Sequence, residues 1–139
     1  MEQKFDLKTL PHLNAMHDQR IESIELREKK LIFHYNNLWS FDGKNDYRSC
    51  DVIFSGVKDA DVHVAIIKRD GLIFSGIEYV DNEFLEYIAE KQYTIETIYF
   101  HHSYCTVIIE AALLHKNGGY SDEDCFIKIT ANEVEYQWK

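Results

Sequence analysis

The stretch "DVHVAIIKRDGLIFSGIEYV", Asp61 to Val80, contains two runs of alternating apolar residues separated by Asp70–Gly71. An Asp-Gly dipeptide tolerates the positive φ angles of a type I′ turn, which joins two antiparallel strands. The stretch therefore predicts a β-hairpin about Asp70–Gly71. A period of two places Val62, Val64 and Ile66 on the same face of its first strand.

Similar alternation recurs on both sides of this hairpin. "IESIELRE" and "KKLIFHYNN" predict two strands joined near Glu28–Lys30, and "CDVIFSGV" predicts another strand. "YTIETIYFH" and "YCTVIIEAALLH" predict long strands separated near His102–Ser103, although a helix over Val107 to Leu114 is the alternative for the second run. "EDCFIKITANEVEYQWK" predicts a closing hairpin about Ala131–Asn132.

One segment, "DNEFLEYIAEKQ" from Asp81 to Gln92, has the spacing of an amphipathic helix. Asp81 is placed to cap its first turn, and Val80 and Leu85 have the spacing of a hydrophobic staple. Short strands joined by tight turns favour antiparallel pairing. We therefore expect one domain over residues 1–139, of the α+β class and mainly antiparallel β. Its sheet is a bent sheet or sandwich of about eight strands, with the helix between the two halves.

The charge balance restricts the classes of partner. Lys and Arg total 15 against 24 Asp and Glu, so the formal net charge is −9. This charge disfavours nucleic acid and favours a basic protein partner. The N-terminus lacks the apolar core of a signal peptide, and no apolar run approaches the length of a membrane helix. Cys50, Cys105 and Cys125 lie far apart and predict reduced thiols, so we expect a cytoplasmic protein.

The His17–Asp18 pair, directly before the strand that opens at Ile21, is the first candidate for chemistry. Adjacent His and Asp ligands clasp metal ions in some phosphohydrolases, but they do so on helices. The favoured interpretation is that Asp18 accepts backbone N–H bonds at the strand entry and that His17 is packed there. A metal site from His17, His101 and His102 is the alternative. No motif predicts a cofactor, a nucleophile or a phosphate loop.

Carboxylates and aromatic rings form a second candidate surface. "SDEDC", "DNEFLEYIAE" and "NEVEYQW" place acidic groups on a turn, a helix and a strand, where simple solvation is the plainer interpretation. Val134, Tyr136 and Trp138 share one face of the last strand. Exposed Tyr120, Tyr136 and Trp138 would supply contact area beside the negative charge, as in a docking surface for a basic partner.

The leader "LPHLNAMHDQRIESIEL", followed by a turn and "LIFHY", resembles a group of small bacterial β-rich proteins of unknown activity. In those proteins a His-Asp pair opens the first strand, and some such families resemble immunity proteins of toxin systems. The resemblance covers residues 10–36, about a fifth of the chain. It implies a β-rich fold and carries over no catalytic residue.

Three functions follow from these observations. The first is a non-catalytic, immunity-like protein-binding module with an acidic docking surface. The second is an enzyme or a small-ligand or metal-binding protein that uses His17 with His101 or His102. The third is a structural homodimer subunit with Val134, Tyr136 and Trp138 at its interface.

Overall fold

A computed structural model describes residues 2–6, 19–39, 46–58, 61–103 and 105–139. These residues form ten strands and one α-helix, α1, which is preceded by a single 3₁₀ turn, Asp81–Glu83. In chain order the elements are β1 Glu2–Asp6, β2 Gln19–Arg27, β3 Lys30–Trp39, β4 Tyr47–Ser55, β5 Val62–Asp70, β6 Ile73–Tyr79, α1 Phe84–Lys91, β7 Thr94–Ser103, β8 Thr106–Leu114, β9 Tyr120–Thr130 and β10 Glu133–Trp138.

All ten strands belong to one open sheet in the order β1-β10-β4-β3-β2-β7-β8-β9-β5-β6. Every neighbouring pair is antiparallel, and β1 and β6 are the edges. The prediction of a bent, mainly antiparallel sheet with one main helix is confirmed. The expected strand number was slightly low.

The sheet consists of two halves that meet at a narrow junction. Strands β2 and β7 pair over only three residue positions, Gln19 to Ile21, whereas β8 and β9 pair almost along their full length. On the inner face, the Tyr35 hydroxyl group lies 3.0 Å from Thr97 Oγ1, which joins β3 to β7 across this junction. Buried side chains from both halves and Phe84 of α1 form one continuous hydrophobic cluster.

The predicted β2–β3 and β5–β6 turns both form, and the second differs in detail. The β2–β3 turn lies at Glu28 and Lys29, whose φ angles of 52° and 63° are those of a type I′ turn. The β5–β6 hairpin also forms, but its loop is Gly71–Leu72, one residue later than predicted. Of these two residues only Gly71 has a positive φ, which indicates a type II′ turn.

The predicted closing hairpin about Ala131–Asn132 is wrong. Strand β10 pairs with β1 and β4 instead of β9, because the chain crosses from one half of the sheet to the other at this turn. The crossing is held by two backbone hydrogen bonds: Ala131 N–H donates to the Cys105 carbonyl, and Asn132 N–H donates to the Ser55 carbonyl.

The helix has the predicted position but not the predicted cap. Its N-terminal turn has no side-chain cap, and the Asp81 carboxylate accepts a hydrogen bond from Val64 N–H of β5. Asp81 therefore fastens the helix start to the sheet. The competing helix over Val107 to Leu114 is also wrong, because this segment is strand β8, whose last four residues are all buried.

Candidate functional site

The histidine site predicted from the sequence is only partly described. His17 and Asp18 lie outside the described residues. His101 lies on β7, and its Nε2 is 3.0 Å from Glu110 Oε2. The backbone of His102 lies opposite Val107 in the β7–β8 ladder. Within the described ranges, no three His, Cys, Asp or Glu side chains are grouped as a metal site requires.

The three aromatic residues of the predicted docking surface separate into different environments. Tyr120 is 66% exposed, and its hydroxyl group donates to Glu96 at 2.7 Å. Tyr136 and Trp138 are 0% and 5% exposed, so the expectation that they are exposed was wrong. They lie on the inner face of β10, where their rings stack 6.2 Å apart, together with buried Val134. These three residues therefore cannot form the homodimer interface expected for the third function.

The three cysteines are free, as predicted. Cys50 and Cys125 are buried in the core. Burial raises the pKa of the Cys50 thiol to about 12 and also raises the pKa of Cys125. Both groups therefore remain protonated near neutral pH, and neither is an activated nucleophile.

A groove lies between β2 and α1 in the described part of the chain, and we call it the β2–α1 groove. One edge of β2 pairs with β3. Beyond Ile21 the opposite edge, which faces β7, pairs with no strand in the described ranges. Helix α1 lies beside this edge. One section of the groove, about 390 Å³, is lined by β2, α1 and the start of β7, and a wider section of about 710 Å³ lies toward the β2–β3 turn.

The floor of the β2–α1 groove is apolar and its rim is charged. Ile24, Leu26, Leu85 and Ile88 are half-buried in the lining. Cationic side chains of Arg27, Lys29, Lys58 and Lys116 share the rim with the carboxylates of Glu22, Glu28 and Glu86. An extended segment with alternating apolar side chains fits this arrangement, because it could cover the floor and pair with the strand edge.

Helix α1, one wall of the groove, is fastened to β9 by two tyrosines. The hydroxyl groups of Tyr87 and Tyr93 both donate to the Glu123 carboxylate, at 2.8 Å and 2.6 Å. Burial and the bond to Glu123 raise the pKa of Tyr93 to about 12, so its phenol remains a donor at neutral pH. The two bonds hold the end of the helix, and therefore the groove wall, at a set distance from the sheet.

Strand β2, the opposite wall, is fastened on its outer face by a histidine between two carboxylates. His34 of β3 lies 2.7 Å from Glu25 of β2 through Nε2 and 2.7 Å from Asp51 of β4 through Nδ1. Asp51 also forms a salt bridge with Lys139, whose Nζ lies 2.9 Å from Asp51 Oδ2. Both ring nitrogens of His34 are occupied, so the group links three strands rather than leaving a nitrogen for a metal.

The charge state of this network depends on pH. Partial burial by itself lowers the pKa of His34, but hydrogen bonds to Asp51 and Glu25 and their negative charge raise it above the ordinary 6.5. Burial tends to raise the pKa of Asp51, but the bonds from His34 and Lys139 lower it below its ordinary 3.8. Near pH 6 the His34 imidazolium and the Asp51 carboxylate are therefore charged together.

We expect His34 to stabilise the fold more at pH 6 than at pH 9. Because its folded pKa exceeds the unfolded value of 6.5, its contribution is complete below 6.5 and is lost as the pH rises through the folded pKa. For this part-exposed network we expect a contribution of about 1 kcal/mol. Urea unfolding of wild type and of His34→Gln across this pH range measures this contribution. The difference between their free energies of unfolding should shrink as the pH rises.

The control for this titration is the variant Glu25→Gln/Asp51→Asn. It keeps His34 but removes both carboxylates that raise its pKa. In this background the difference between His34 and His34→Gln should no longer fall between pH 6 and 9. A difference that still falls there would show that another group causes the pH dependence.

Sequence reasoning identified the groove residues as ordinary strand and helix positions. Ile24 and Leu26 follow the β2 alternation, and Leu85 and Ile88 belong to the apolar stripe of α1. What creates the groove is the early end of the β2–β7 ladder, and no local pattern marks which strand neighbours β2. The break in that ladder is therefore a property of the tertiary structure.

Comparisons with protein-family models, with curated proteins and with solved structures found no match for this chain. Among the described residues, no helix is long and apolar enough to cross a membrane.

Proposed function

We propose that this chain is a protein-binding module that takes an extended segment of a basic partner into the β2–α1 groove. One observation carries the proposal: beyond Ile21, one edge of β2 has no neighbouring strand among the described residues and lies beside an apolar helix wall. An added strand would pair with the backbone of β2, and alternate side chains would reach Ile24 and Ile88. Affinity would come from the backbone bonds and specificity from the apolar floor.

The charge of the chain supports a basic partner. The net charge is −9, and Glu83, Glu86 and Glu90 are exposed along α1 next to the groove. The rim itself carries both signs, so we assign the electrostatic contribution to the approach of the partner rather than to the seated complex. Such long-range attraction raises the association rate and weakens with added salt.

The immunity-like resemblance and the cytoplasmic location remain predictions. Free Cys50 and Cys125 are consistent with a reducing compartment. The role of an enzyme or of a small-ligand or metal-binding protein that uses His17 with His101 or His102 also stays a prediction, because His17 lies outside the described ranges.

The groove can be tested with a displayed library of random peptides of about ten residues, long enough to add one strand. We expect selection on the wild type to enrich peptides with alternating apolar residues and Lys or Arg. Ala89→Arg should bind an enriched peptide at least about tenfold more weakly, because Ala89 is exposed in the groove lining and arginine fills the space. Isothermal titration calorimetry measures the change.

Glu90→Arg is the matched control. Glu90 is the next residue on α1, is exposed, and does not line the groove. Its substitution changes the net charge more than Ala89→Arg does, so charge alone predicts the larger loss for Glu90→Arg. Equal binding to Ala89→Arg and to wild type, or no enrichment over an unrelated acidic protein, would contradict the proposed site.

A further inference from the structure

The half of the sheet formed by β7, β8, β9, β5 and β6 carries an apolar surface on its outer face. Nothing in the described chain covers this surface. Cross-strand register places Tyr99, Glu110, Phe126, Ala65 and Tyr79 side by side in one row across β7, β8, β9, β5 and β6. Neighbouring rows add more large apolar side chains. We call the exposed members the outer-face patch: Phe74, Ile77, Tyr79, Tyr99, Ile108 and Phe126.

The exposure of the patch is high for side chains of this size. Tyr79 is 72% exposed, Phe74 60% and Phe126 39%, although Phe126 lies on an interior strand. In the other half of the sheet, the outer face carries the His34 network instead. Because soluble monomers rarely expose a contiguous apolar surface of this kind, the patch indicates an interface.

The patch carries side chains of both charge signs in an otherwise acidic chain. Its carboxylates are Asp124, which lies 3.1 Å from Arg69, Glu110, which lies 3.0 Å from His101, and Glu96, which shares the cross-strand row of Asp124 through Ala112. Lys128 lies on the same face and makes no salt bridge within the described ranges. A second copy, repelled by most of a surface with net charge −9, meets cations as well as carboxylates here and is therefore repelled less.

The size of the patch suits a dimer. Five strands about 4.8 Å apart and three rows of residues about 6.8 Å apart give a footprint of about 500 Å². The accessible area of the patch is larger than its footprint, because side chains project from the sheet. It therefore approaches the roughly 800 Å² that each partner buries in a standard interface. Sheets that pack face to face bury side chains of this type between layers about 10 Å apart.

We infer that two copies of this chain pack outer-face patch against outer-face patch about a two-fold axis near Phe126. Asp124, Phe126 and Lys128 point to this face at successive alternate positions of β9. If the two β9 strands cross in opposite directions, Lys128 of one copy lies opposite Asp124 of the other. This segment of β9 is thus complementary in charge to the same segment of the second copy, as a two-fold contact requires. Glu110 retains His101 as its partner.

Sedimentation equilibrium tests the inference. We expect wild type at about 100 µM to have twice the 16.4 kDa mass of one chain, because dimer population rises with concentration. Phe126→Asp places two carboxylates at the axis, and Lys128→Glu places like charges opposite Asp124. Each should raise the dimer dissociation constant at least about tenfold. Circular dichroism verifies that both variants fold.

A charge exchange separates a direct contact from a loss of folding. Lys128→Asp/Asp124→Lys restores opposite charges between copies, so it should recover part of the affinity that Lys128→Glu loses. The recovery is incomplete because the new lysine meets Arg69 of its own copy. Tyr47→Asp is the control, because Tyr47 is an exposed aromatic residue on β4, outside the patch. Ala89→Arg should leave the dimer intact, so failure of the groove proposal and failure of the dimer are distinguishable.

Two results would overturn the inference. One is a monomeric wild type at about 100 µM, since an interface of standard size binds well below this concentration. The other is a dimer that tolerates Phe126→Asp and Lys128→Glu but dissociates in Ile73→Lys. Ile73 lies at the end of the β5–β6 hairpin, where an added lysine blocks edge-to-edge strand pairing. That result would assign the contact to the β6 edge.

Discussion

Phe54→Ala is expected to lower the free energy of unfolding by about 3–5 kcal/mol, the usual cost of truncating a buried phenylalanine. Phe54 is fully buried on β4, and its ring meets Phe33 of β3 edge to face, with centroids 5.6 Å apart. Alanine would leave a cavity beneath both strands, and Val134 of β10, directly opposite Phe54, would lose its neighbour. Urea denaturation at a single protein concentration measures the loss.

Tyr47→Ala provides a matched comparison. Tyr47 and Trp39 form the same kind of edge-to-face pair between β3 and β4, with centroids 4.9 Å apart, but are 53% and 42% exposed. Little apolar surface leaves water there on folding, so we expect a loss below about 1 kcal/mol. Similar losses for Phe54→Ala and Tyr47→Ala would contradict the position of Phe54 in the core.

The hydrogen bond between Tyr35 and Thr97 should contribute more to the free energy of unfolding than a hydrogen bond at the surface does. Both side chains are buried, at 2% and 0% exposure, and they join the two halves where β2 and β7 pair briefly. Tyr35→Phe leaves the Thr97 hydroxyl group without this partner, which costs about 1–3 kcal/mol inside a protein. We expect Thr97→Val to cost a similar amount for the converse reason.

A double-mutant cycle isolates this bond. Because Tyr35→Phe/Thr97→Val leaves neither hydroxyl group unsatisfied, we expect the double variant to be more stable than the sum of the single losses predicts, by about 1–2 kcal/mol. Tyr120→Phe is the control, since Tyr120 is 66% exposed and water can replace its bond to Glu96. Strictly additive losses in the cycle would mean that the two hydroxyl groups are not coupled.

Local signals predicted the short-range features of the fold well. The β2–β3 and β5–β6 hairpins and helix α1 lie where turn residues and periodicity placed them. The shift of one loop to Gly71–Leu72 has a local cause too, because only Gly71 needs a positive φ there. Each of these features depends on residues within a few positions of one another, so the sequence pattern contains the necessary information.

Pairing between distant strands could not be predicted in the same way. The turn at Ala131–Asn132 is real, but it carries the chain into the other half of the sheet instead of closing a hairpin. A turn signal specifies that the chain changes direction, whereas the partner of the next strand depends on which apolar faces meet. Tyr136 and Trp138 illustrate the consequence. Their shared face was predicted, but its burial in the core follows from the pairing of β10 with β1 and β4.

The candidate surfaces show the same division. The net charge of −9 and the alternation of Ile24 and Leu26 are properties of the sequence. The β2–α1 groove exists because β2 and β7 separate after Ile21, and the outer-face patch exists because β7, β8, β9, β5 and β6 align their exposed rows.

The sequence alone determined the class of the fold, the hairpin turns, the helix and the acidity, because propensity, periodicity and charge are local or additive. Only the tertiary structure decided the strand order and the buried face of β10, and it alone placed His34 between two carboxylates. Those features depend on contacts between residues far apart in the chain, whose free energy arises only when the whole sheet is assembled.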